Sequence, residues 1–159
     1  MPITPSPTVT MQTHRALLTP VPADHLVSGL EVCAREGRVA FGSNNGLRLA
    51  ELRHDLEGDE CDVLFFASQE GLSGPAKVTW VGRFKGLREP RNGRHPEHER
   101  LRPPTTDGDG AWMIFYEVSD LRKLGPGEAI PISSLKSSTG KKLSATYIPE
   151  GPLIVDTPW

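Results

Sequence analysis

A chain of 159 residues fits one domain and is long enough to bury a core of its own. Hydrophobic content of 36%, with 15 Pro and 16 Gly, reads as short elements joined by many loops, so a β-rich or α+β fold is expected rather than a helical one. A formal charge of −2, no apolar run of membrane-spanning length and two cysteines without metal-ligand spacing argue against a polycationic chain, a membrane span and a zinc or disulfide scaffold, and point to a soluble, cytoplasmic protein.

Residues 1–12 are Pro- and Thr-rich with little to bury and read as a disordered segment; residues 13–159 read as one domain. "HRALLTPV" is a strand bounded by Pro20 and Pro22. "PADHLVSGLEVCAREG" is a helix with Leu26, Leu30 and Cys33 on its apolar face, Asp24 as N-cap and Gly37 as C-cap. "RVAFGS" is a strand, "NNG" a turn and "LRLAELRHDL" a second helix. "CDVLFFAS" is a central strand and "AKVTWVGRFKGL" another, followed by a polar loop over 86–110. "GAWMIFYEV" alternates Trp112, Ile114, Tyr116 and Val118 against Met113, Phe115 and Glu117. "SDLRKL" reads as a one-turn helix, and "AIPISSL" and "PLIVDTP" as closing strands. The sum is an α+β fold, a small open β-barrel of about six to seven strands flanked by two or three helices.

The charge is unevenly spread. Between 77 and 102 stand Lys77, Arg83, Lys85, Arg88, Arg91, Arg94, Arg100 and Arg102 against Glu89, Glu97 and Glu99 alone. Such a segment is either a solvated loop with internal ion pairs, such as Glu97 with Arg100, or a surface for an anionic polymer.

"RALLTPVPADHLVSGLEVCAREGRVAFGSNNGLRLAEL", "CDVLFFAS", "PAKVTWVGRF" and "GAWMIFYEVSDL" resemble, in order, the segments of YTH and EVE domains of the PUA-like superfamily, and "PISSLKSSTGKKLS" resembles the basic segment before the last family strands. The resemblance spans roughly residues 15 to 155. It implies a compact β-barrel that binds DNA or RNA and holds an extruded, methylated or hydroxymethylated base in an aromatic pocket, with no cofactor and no chemistry of its own. A nuclease is the kind of protein partner it implies. On these segments Phe41 and Ser43 fall at the family's aromatic cage position and its polar partner, Asp24 at a base-contacting position, and Thr79 and Trp80 on the pocket strand. The loop 86–110 holds no Trp, Tyr or Phe, so a second cage Trp of the YTH type is missing and N6-methyladenine specificity is not carried over.

The expected site is therefore a base pocket of Asp24, Phe41, Ser43, Asn44, Thr79 and Trp80, with Arg83, Lys85, Arg88, Arg91, Arg94, Lys141 and Lys142 holding phosphates. Trp112 reads as core packing. Two other readings stand beside it. An ASCH-like ribonuclease would use His95 and His98 in "HPEHE", and a protein-interaction module would need an exposed apolar patch. Pro96 breaks the helix that would align "HPEHE" on a metal, and "SSTGKK" lacks the upstream Gly of a phosphate-binding loop.

Overall fold

In a computed structural model the described residues are 15–56, 60–68, 76–137, 140–144 and 146–158; the expected disordered segment lies outside them. The elements are β1 (Arg15–Pro22), α1 (Ala23–Glu36), β2 (Val39–Ser43), α2 (Gly46–Leu56), β3 (Cys61–Ser68), β4 (Lys77–Val78), β5 (Trp80–Arg88), α3 (His98–Leu101), β6 (Ile114–Lys123), β7 (Ile130–Pro131) and β8 (Leu153–Asp156). Six strands form one curled, half-barrel sheet in the order β2-β6-β5-β3-β1-β8, and β4 pairs with β7 in a second, two-stranded sheet. β1 and β3 run parallel, joined by the β1–α1–β2–α2–β3 crossover; the other ladders of the large sheet are antiparallel. The α+β class and open, barrel-like curl agree with the sequence reading. No helix among the described residues is long and apolar enough to cross a membrane.

The sheet is buried on both faces, which is why β3 reads as an almost unbroken apolar run. Leu17, Val63, Phe65, Trp80, Phe84 and Tyr116 face one way, into a core closed by Leu26 and Val32 of α1 and Leu49 and Leu52 of α2. Leu18, Leu64, Phe66, Val81 and Val155 face the other way, against Val78, Ile132 and Leu135.

Local chemistry sets the boundaries, and four expectations need correction. α1 ends where Gly37 takes φ 86° and donates its N–H to Cys33 O at 2.8 Å, as expected. Its N-cap, however, is Pro22; Asp24 lies inside the first turn and makes no capping hydrogen bond. The buried face of α1 is Leu26, Gly29, Val32 and Cys33, while Leu30 turns toward solvent and Val27 is 56% exposed. "SDLRKL" is not a helix: β6 continues through it to Lys123, with Asp120 at φ 53° absorbing the bend that returns Leu121 to the core. In "AIPISSL" only Ile130–Pro131 is strand, followed by a 3-10 turn at Ile132–Ser134.

The two cysteines are core residues. Cys33 and Cys61 are both free and buried, and burial pushes the Cys61 thiol up to about 12. Neither thiol should react with iodoacetamide in the native protein at pH 8, while both should react in denaturant. Native labelling of Cys61 at the rate of a free cysteine would mean that β3 opens to solvent.

Candidate functional site

The expected base pocket is not assembled. Phe41 is 2% exposed and Trp80 3%, both in the core beneath the helices. Phe41 packs edge-on to Phe65, with ring centroids 5.5 Å apart, and lies 5.9 Å from Tyr116; Phe65 is in turn the cross-strand neighbour of Trp80. Apolar neighbours already take up these rings, so neither serves as a stacking face for a base. The candidates also lie apart. Ser43 pairs with Ile114 at the start of β6 and Trp80 with Lys123 at its end, which is roughly 30 Å of strand at about 3.3 Å per residue. Asp24 is exposed at the start of α1, 3.6 Å from His25. Ser43 Oγ accepts from Asn45 N–H at 3.1 Å, and Asn45 Oδ1 accepts from Arg48 N–H at 3.1 Å, which makes Asn45 the N-cap of α2. Thr79 Oγ1 is buried without a protein partner.

Several of the cations are committed to carboxylates. Arg83 is bonded to Asp62 at 2.8 Å, Lys85 to Glu60, and Arg88 to Glu97 at 2.9 Å. Arg100 holds both Glu97 and, from across the fold, Glu36 at 3.0 Å. To this extent the loop is internally paired. Lys141 and Lys142 belong to the segment bridged to Lys136 at the β8 edge, the opposite side of the sheet from β2.

The loop itself is built rather than slack. His95 has no exposed side-chain surface, and its Nε2 lies 2.9 Å from Glu117 Oε2. Its Nδ1 accepts the Glu97 N–H at 2.9 Å, so the ring proton is on Nε2 and is donated to the carboxylate. The ring stands edge-on over Phe115 at 5.3 Å. Arg38 at 3.2 Å and Arg88 at 3.5 Å complete the cage around Glu117. Burial pushes the Glu117 carboxyl up, but the His95 donor and the two guanidinium groups outweigh it and hold the group below its ordinary range. His95 is thus a structural post, sealed from any substrate, and His98 is tied to Asp107 at 2.9 Å.

What this post supports is a short hairpin. Arg91 and Arg94 exchange both backbone hydrogen bonds, N–H to O at 2.7 and 3.1 Å, around Asn92 (φ 55°) and Gly93 (φ 80°). Two successive left-handed residues in an Asn-Gly pair make a type I′ turn, which projects the two arginines side by side. Arg91 has no carboxylate within ion-pair distance among the described residues, and Arg94 reaches Glu99 only at 4.0 Å. Trp112 lies against this hairpin, its backbone N–H donating to Gly93 O at 3.0 Å. The indole is half-buried and lies on Gly42, where a Cβ would sit 2.5 Å from the ring, so only glycine fits. Asp109 Oδ2 fixes the ring by accepting Trp112 Nε1–H at 3.3 Å. Beside it Asn44 Oδ1 accepts Met113 N–H at 3.1 Å, and the exposed Asn44 amide keeps two N–H donors.

Arg91, Arg94 and Asn44 of the expected set are therefore gathered around Trp112, which the sequence reading assigned to the core. The Asn-Gly pair was the available signal for the hairpin. Nothing in the local sequence marks Gly42 as the seat of an indole.

No family model matches the chain, and no curated protein matches it. Among solved structures, the X-ray crystal structure of a Pseudomonas putida protein, a structural-genomics target, is similar over 68% of each chain, with 19% sequence identity and a TM-score of 0.41.

Proposed function

We propose that this chain is a nucleic-acid-binding domain of PUA-like, YTH/EVE character, which takes phosphates on Arg91 and Arg94 and stacks an extruded, modified base on Trp112. The observation that carries the proposal is the type I′ turn that sets Arg91 opposite Arg94 against a half-buried indole. Like charges directly opposed cost a fraction of a kcal/mol to about 1 kcal/mol, a cost that a bound phosphate turns into an attraction. A base on an aromatic platform contributes about 1–3 kcal/mol, and the Asn44 amide offers donors to its edge. The modified base itself rests on the family resemblance.

The test is a titration at several salt concentrations against plain, 5-methylcytosine, 5-hydroxymethylcytosine and N6-methyladenine oligonucleotides, single- and double-stranded. Arg91→Glu with Arg94→Glu should weaken every oligonucleotide alike and lower the log–log salt slope by nearly 2 on duplex DNA, at about 0.9 per phosphate contact. Trp112→Ala should cost roughly 30-fold in affinity, the middle of the stacking range, and should remove discrimination between modified and plain forms. Wild-type protein that binds none of these oligonucleotides at low salt sinks the reading. An unchanged salt slope in the charge-reversed variant removes the hairpin from it.

A further inference from the structure

Beside Trp112 lies a small, partly open cavity of about 10 Å³ whose walls include Arg102, Thr106, Asp109, Trp112 and Phe115. The Arg102 side chain is 2% exposed, and each of its two terminal nitrogens has an acceptor. Nη1 donates to Ala40 O at 3.0 Å, Nη2 to Asp109 Oδ2 at 3.3 Å, and the guanidinium carbon lies 5.2 Å from the Phe115 ring centroid. Of its three nitrogens only Nε is buried without a protein acceptor. A buried donor left unsatisfied costs about 1–3 kcal/mol, and more on a charged group, so native proteins supply an ordered water where they supply no acceptor.

Size decides what can fill that role. One water needs a cavity of about 10–15 Å³ on this measure, which matches the space present. We propose that this cavity is the binding site of a single structural water, which accepts the Arg102 Nε–H and donates to the Asp109 carboxylate. Asp109 Oδ2 already takes hydrogen bonds from Arg102 and Trp112, and a carboxylate has lone pairs for more. The water ties the guanidinium that guards the β2 edge to the carboxylate that orients the indole. It is part of the folded structure and does not depend on nucleic-acid binding.

The native protein suffices for the test. A high-resolution crystal structure should show solvent density about 2.7–3.2 Å from Arg102 Nε. In solution the Arg102 Nε–H resonance should exchange slowly and give a cross-relaxation peak to water with the sign of a long-lived, bound molecule. A dry cavity with no such peak overturns the assignment. So does an anomalous peak in the cavity of crystals soaked in bromide, which would make it a halide site.

Discussion

Replacing Arg102 by alanine should lower stability by about 3 kcal/mol, read as a fall of roughly 6–12 °C in Tm for a chain of this size. Arg102 belongs to neither apolar cluster of the core, although its guanidinium also lies over the Phe115 ring. What is lost is the partner of a partly buried carboxylate, Asp109, and the only side-chain donor to the Ala40 carbonyl among the described residues. Ala40 lies in β2, an edge strand of the six-stranded sheet. With Arg102 gone, that edge offers an unpaired carbonyl to a second copy of the chain, so the variant should also associate at high concentration. Arg102→Lys should not rescue it. One ammonium cannot reach both Ala40 O and Asp109 in the fork geometry of a guanidinium. A loss below 1 kcal/mol by chemical denaturation, with the variant still monomeric, would show that neither bond matters and that the loop holds the edge without them.

Arg102 also illustrates which parts of this protein were legible in its sequence. β3, β5 and β6 were visible because burial leaves apolar runs or alternations that survive in one dimension: Val63–Phe66, Val81 and Phe84, and Ile114, Tyr116 and Val118. The C-cap at Gly37 was equally plain. Trp80 and Phe41 were misread for a definite reason: they abut the polar stretches Thr79 and Gly-Ser-Asn-Asn, but strand parity turns both rings into the core beneath the helices, where Gly29 of α1 leaves room for the Phe41 ring. Trp112 was misread in the opposite sense. It extends the alternation of β6 by one step, yet the strand starts only at Ile114, and the ring lies on Gly42 of a strand some seventy residues earlier. The ion pairs follow the same logic. Glu97 with Arg100 lies within one helical turn and could be read, whereas Arg100 with Glu36 and Arg83 with Asp62 join residues that only the folded sheet brings together. A segment counted as surplus positive charge in the sequence is, in three dimensions, mostly neutralised, and the hairpin at Arg91 and Arg94 stands out for that reason.

The second large effect concerns the post under that hairpin. Glu117→Gln should cost about 2–3 kcal/mol at pH 7, because the amide places N–H donors among His95, Arg38 and Arg88, all of which need an acceptor. The pH dependence carries the sign of the interaction. The folded-state pKa of Glu117 is depressed, since its His95 and guanidinium donors outweigh the opposing effect of burial, and Glu97 is held down to about 2, chiefly by Arg100 and then by Arg88. A depressed carboxylate contributes stability above its unfolded value, near 4.5, and loses it as the pH falls through the folded value. Wild-type stability should therefore decline from pH 4.5 toward pH 2, and the gap between wild type and Glu117→Gln should narrow over the same interval. Denaturant melts of both proteins at pH 7, 5, 4 and 3 measure that gap. A gap that stays constant down to pH 3 would mean that the charge on Glu117 contributes nothing to the fold and that the side chain acts by shape alone. Amide exchange locates the effect: as the pH falls, protection at Arg91 and Arg94 should be lost before protection in β3, because the hairpin rests on the carboxylates and the strand does not.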